Sequence, residues 1–167
     1  LLNEEEFQPV SGPLKIVLDE VDLPLEEKPS EDDLASMRKM GGNDARKADR
    51  ITSMLDEGAE WADLYRTPIG VWQFGQDLTI VRLSGEVVSD YIQLLEQALG
   101  PLNLWVWAYC SDYFGYVPSE RVHREGGYEA RDVVGGHGAL AAETEQVIVE
   151  KAVELAERVG REIRRGL

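Results

Sequence analysis

The chain has 167 residues, one cysteine and a formal net charge of −15, with 43% apolar and 29% charged residues. That length suits one domain with a real core, and the acidity excludes the clustered cations that grip a phosphate backbone, so no nucleic-acid partner is expected. No apolar run approaches the ~20 residues of a bilayer-spanning helix, and Cys110 alone can close neither an internal disulfide nor a thiolate metal site.

The opening "LLNEEEFQPVSGPLKIVLDEVDLP" carries no initiator Met and no basic-then-apolar leader, so the chain is expected to be a piece of a longer protein. Within it, Leu14–Leu23 alternates as a half-buried strand does. Ser30, with Asp33 three residues on, marks the start of a short helix that stops at "GGN". A second helix restarts at Asn43, with Ala48, Ile51, Met54 and Leu55 on one stripe. Residues 24–66 thus read as a helical connecting arm, and 67–167 as a site-bearing α/β portion.

"IGVWQFG" and "LTIVRL" form a hairpin about "GQD". "SGEVVSDYIQLLEQALG" follows as a helix whose stripe is Val87, Tyr91, Leu94, Leu95 and Ala98, stopped by Gly100-Pro101. "LNLWVWAYC" is a nearly continuous apolar run, expected to be a central strand covered on both faces, with Tyr109 in the core and Cys110 a buried small hydrophobe. Strand, helix and strand in that order predict a parallel pair. The last element is a helix over Leu140–Arg164 with Ile148, Ala152, Leu155, Val159 and Ile163 inward, and the basic "REIRRGL" complements a helix C-terminus. The fold class is α/β: a mixed sheet with a strand-helix-strand unit and flanking helices, expected to be part of a larger catalytic domain.

Ligands collect at the carboxyl ends of strands in open α/β sheets. Two segments lie there: "LSGE", Leu83–Glu86, and the tyrosine-rich "YCSDYFGYVPSERVHREGGYEA", Tyr109–Ala130. By pattern, Glu86 is an acid in a helix's first turn after a Ser84-Gly85 cap, or else a strand-end carboxylate able to ligate metal or act as a base. The tyrosines are either a partly wet core rim or a placed set, since Pro118-Ser119 starts a helix and Gly126-Gly127 lets backbone approach a ligand. His123 and His137 make no metal spacing with each other or with Glu86, and each is expected on the surface or in a loop. No nucleophile elbow, P-loop or dinucleotide fingerprint is present.

"LTIVRLSGEVVSDY" followed by "LWVWAYCSDYFGYVPSERVHREGGYEA" resembles the C-terminal part of the catalytic domain of neutral ceramidases, in the bacterial neutral/alkaline branch. The resemblance runs from about Ile69 to Glu129, with Ser84 and Ser111 standing where the family has proline and asparagine. It implies that Glu86 and Tyr116 ligate a catalytic zinc, that Tyr128 stabilises the oxyanion of the attacked amide, and that Tyr113 lines the pocket. It also implies that two zinc-binding histidines lie upstream of this chain, so that the zinc site is completed there. The implied substrate is an N-acylated lipid, and the implied setting extracytoplasmic or secreted, with possible membrane-surface association of the parent. A reading from another class is a non-catalytic envelope protein that keeps the fold and binds lipid or carbohydrate on its tyrosine rim.

Overall fold

The protein is described by a computed structural model over residues 9–131, 134 and 138–163. Strand β1 (Leu14–Pro24) pairs antiparallel along its whole length with β2 (Leu64–Phe74), which turns at Gly75–Asp77 into the antiparallel β3 (Leu78–Leu83). Helix α3 (Asp90–Leu99) then carries the chain to β5 (Leu104–Trp107), parallel to β3 as the strand-helix-strand pattern requires. The sheet order is β1-β2-β3-β5, a mixed α/β sheet.

Between β1 and β2 lie α1 (Glu31–Met40) and α2 (Gly42–Asp56). The expected start of α1 is present in full: the Ser30 side chain accepts from the Asp33 N–H while the Asp33 carboxylate accepts from the Ser30 N–H. Leu34, Ala48 and Ile51 make a small apolar cluster of the arm's own, against which Trp61 packs while donating Nε1–H to the Glu26 carbonyl at 3.1 Å.

The main core lies between one sheet face and the helices α3 and α5 (Thr144–Val159). Tyr91, Leu95 and Leu99 face it from α3, and Ile148, Ala152, Leu155 and Val159 from α5, so the inward stripe of the last helix is as the spacing predicts. Its ends are shorter than expected. Leu140 instead bridges to Leu25, and the helix stops where Gly160 adopts φ 85° in the left-handed region. Ile163 follows the helix, and Arg164 lies outside the described residues. Arg161 turns back to donate to the carbonyls of Leu99 (3.1 Å), Gly100 (2.9 Å) and Leu102 (3.0 Å), so this arginine complements the C-terminus of α3 rather than that of α5.

Strand β5 departs from expectation. It is four residues long and forms an edge of the sheet, with Trp105 56% and Trp107 39% exposed. No described helix covers the second sheet face, where Ile16, Trp72, Ile80 and Trp105 run side by side across the four strands. A continuous apolar run signals apolar residues on both faces of a strand, and it cannot tell whether both faces are covered.

Candidate functional site

The chain leaves β3 through Ser84-Gly85 and forms a two-residue strand, β4 (Glu86–Val87), which pairs in parallel with β6 (Tyr116–Val117). Alternation decides the orientation: Val87 and Val117 pack on the core, while Glu86 and Tyr116, direct partners in the register, share the opposite face. Neighbouring strands stand ~4.8 Å apart, so a carboxylate and a phenol are held side by side. Glu86 is therefore not the first-turn helix acid that the pattern allows. That place belongs to Asp90, three residues after β4 ends. Nor does Ser84 cap a helix: its single O–H lies within hydrogen-bonding distance of two carbonyls, Pro68 (2.6 Å) and Cys110 (2.8 Å), between β2 and the tyrosine-rich loop.

That loop is pinned at several points. Tyr109 N–H donates to Gly85 O and Cys110 N–H to Leu83 O, both at 2.9 Å, and Gly85 N–H donates to Asp112 O at 2.8 Å. The Asp112 carboxylate accepts from the Tyr65 hydroxyl (2.9 Å) and the Thr67 hydroxyl (3.2 Å), anchoring the loop to β2. Burial first, and the hydrogen bond to Asp112 second, push the Tyr65 phenol up to about 12. Asp112, Tyr65 and Thr67 escape sequence reading because their partners are 45 and 47 residues apart and share no motif.

Tyr109 is not in the core. It is 58% exposed, adopts φ 58°, and stacks on Tyr113 with centroids 5.8 Å apart. The Glu86 carboxylate first, and some desolvation next, push its phenol up to about 12. Cys110 is half-buried beyond the end of β5 rather than enclosed within it. Tyr113, 66% exposed, stands at the loop's surface beside Tyr109. Tyr116 meets the edge of Tyr128 at 5.4 Å and 84°. Desolvation first, and the Glu86 charge next, raise the Tyr116 phenol.

After β6, helix α4 (Glu120–Glu125) begins at Ser119, whose hydroxyl accepts from the Val122 N–H at 3.2 Å and donates to the Asp90 carboxylate at 2.5 Å. Arg121 grips the same carboxylate with Nε (2.9 Å) and Nη2 (2.8 Å), tying α4 to the start of α3. These contacts hold that carboxyl below the usual range, the Arg121 hydrogen bonds first and Ser119 second. Gly126 (φ 75°) and Gly127 (φ 144°) then turn the chain back so that Tyr128 reaches Tyr116. Glu86, Tyr116, Asp90, Arg121, Glu125 and Glu129 line a cleft of about 480 Å³.

His123 is on α4, half-buried rather than on the surface, and its buried Nε2 has no hydrogen-bond partner. Burial lowers its pKa, and the charges acting on it are those of Glu26, Lys47 and Glu143, not Glu86. His137 lies outside the described residues. Among the described residues no group of three or more His, Cys, Asp and Glu could hold a metal ion, and no helix is long and apolar enough to cross a membrane.

Fold and site together define a mixed α/β chain with an acid–phenol pair at its strand ends. No family model and no curated protein matches it. Among solved structures it is similar to one titled "Ceramidase complexed with C2", at 23% identity and a TM-score of 0.39. The likeness covers 61% of this chain, which spans only 16% of that one. A likeness of that extent assigns no residue a role.

Proposed function

We propose that this chain is the C-terminal part of the catalytic domain of a zinc-dependent amidohydrolase, resembling neutral ceramidase, that cleaves an N-acyl bond. Glu86 and Tyr116 would hold the metal and Tyr128 would bind the oxyanion. The observation that carries the reading is the β4–β6 register, which sets a carboxylate and a phenol side by side at a cleft, with a second phenol against the first. Two adjacent oxygen donors fit part of a zinc coordination sphere, in which oxygen ligands lie ~2.0–2.2 Å from the metal. On this reading the remaining ligands come from upstream sequence. Zinc, when bound, supplies a water acidified to a pKa of ~7.

The side chains of this chain do the rest. Tyr128, 59% exposed and edge-on to Tyr116, can donate its O–H to the amide oxygen as negative charge develops there. Loss of one such donor typically costs ~2.7–4 kcal/mol of transition-state stabilisation. The Arg121–Asp90 clamp holds α4, and with it the Gly126-Gly127 turn, against the cleft. An N-acylated lipid as substrate and an extracytoplasmic parent rest on the sequence resemblance alone.

The test is a polypeptide that carries the upstream residues, assayed for bound zinc and for amide hydrolysis. Glu86→Ala and Tyr116→Phe should each lose metal and turnover, while Tyr128→Phe should keep the metal and lose roughly 100-fold or more in kcat. Unchanged metal content and turnover in both ligand variants would sink the enzyme reading. The exposure of Tyr109, Tyr113 and Tyr128 favours one alternative, a non-catalytic rim that stacks carbohydrate or lipid. In that case Glu86→Ala leaves ligand binding intact and Tyr113→Ala weakens it.

A further inference from the structure

Among the described residues, the second face of the four-stranded sheet has raised borders and a sunken middle. Leu14, Ile16 and Leu18 alternate along β1 and are 50%, 57% and 56% exposed, and Trp105 on β5 is 56% exposed. Between these borders, in the same register rows, lie Ile80, 3% exposed, and Gly70, which has no side chain. Strands β1 and β5 are three strand spacings apart, roughly 14 Å. The face is thus a trough wide enough for one α-helix of ~10–12 Å diameter. Arg82 is the one charged residue in these rows. It lies 4.8 Å from the Trp72 ring centre and 3.4 Å from the Ser111 hydroxyl, and it forms no ion pair among the described residues.

We infer that this trough seats one amphipathic helix of the upstream polypeptide, laid along the strands, with a carboxylate on its apolar stripe set against Arg82. The inference rests on the proposed function, since the helix belongs to the same longer polypeptide as the remaining zinc ligands. Shape and charge select this occupant. A flat lipid surface would rest on the borders and leave the Ile80 floor unfilled. A second copy would set trough against trough and bring no carboxylate from within the apolar rows. A helix fills the floor and can carry an acid where Arg82 waits for one, the guanidinium–carboxylate pair being among the strong hydrogen-bonded contacts. The first sheet face is already taken by α3 and α5, so a polypeptide that brings ligands to these strand ends has the second face to pack on. From Leu14 to Leu18 the border runs ~14 Å, which roughly nine helical residues span.

The experiment compares the 167-residue chain with the longer polypeptide, both carrying Cys110→Ala and either Leu18→Cys on one border or Trp105→Cys on the other, and follows labelling by a maleimide. Both positions should label fast in the 167-residue chain at every protein concentration, and roughly 10-fold or more slowly in the longer polypeptide. In urea the two proteins should label alike. Equal rates in the two native proteins overturn the inference. Slow labelling of the 167-residue chain by itself also overturns it, and a rate that falls with concentration would assign the face to a second copy. Labelling of the longer polypeptide that slows only when phosphatidylcholine vesicles are added would assign it to a lipid surface instead. Arg82→Met should speed labelling in the longer polypeptide and leave the thermal midpoint of the 167-residue chain unchanged; protection unaltered by Arg82→Met overturns the acid set against Arg82. Zinc content of the same longer polypeptide keeps the two readings apart. Slow labelling without bound zinc leaves the helix in place and strikes the metal reading, whereas bound zinc with both borders labelled fast strikes the helix and spares the metal.

Discussion

Gly85 sets the site at the scale of one residue. Its φ is 72°, and a Cβ there would stand 2.8 Å from Val117 Cγ2, 2.9 Å from Phe114 Cζ and 3.0 Å from the Gly115 carbonyl. Left-handed strain of roughly 1–2 kcal/mol adds to overpacking of typically ~1–3 kcal/mol. Gly85→Ala is therefore expected to destabilise the chain by about 2–5 kcal/mol in urea unfolding and to loosen the β4–β6 pair. The nearness of Glu86 to the tyrosine-rich loop was legible, but its setting was not. "SGE" reads as a helix start because Ser, Gly and an acid recur there, and only the carbonyls of Pro68 and Cys110, 16 and 26 residues away, draw Ser84 to another task. The exposed setting of Tyr109 is hidden from the sequence for a related reason: it follows an apolar run, and a sequence does not display the sign of φ.

At the scale of elements, the docking of α5 on β1 joins apolar and ionic contacts. Under the stripe of Ile148, Ala152 and Leu155, the Asp19 carboxylate on β1 meets Lys151 (2.9 Å) and Arg158 (3.0 Å). The Lys151 hydrogen bond first, then the backbone N–H of Glu20 and the Arg158 hydrogen bond, lower the Asp19 carboxyl from 3.8 to about 2. A folded-state pKa below the unfolded one contributes stability above the unfolded value, lost as pH falls through the folded one. Wild type should therefore lose an increment of stability between about pH 4 and pH 2 that Asp19→Asn lacks, and their acid-unfolding curves should converge at the low end. The helices themselves were legible because their apolar stripes and the Ser30/Asp33 cap are local. The end of α5 was not, since Ile163 continues the helical period past Gly160.

For the whole molecule, the class of the sheet and its parallel β3–β5 pair could be read from element order, because right-handed strand-helix-strand crossovers leave few choices. The two-stranded sheet that carries the site could not, since two-residue strands have no periodicity to detect. Coverage of the large sheet was equally hidden, and it has a spectroscopic consequence. All four tryptophans are half-buried or exposed: Trp61 on the arm, and Trp72, Trp105 and Trp107 on the open sheet face, where Arg82 lies 4.8 Å from the Trp72 ring centre. The native protein should emit at long wavelength and be quenched readily by acrylamide, with little further red shift when urea unfolds it. Trp fluorescence will then report on the uncovered sheet, and anything that comes to lie across it will turn the emission blue while leaving the core, where Tyr91 is fully enclosed, unchanged.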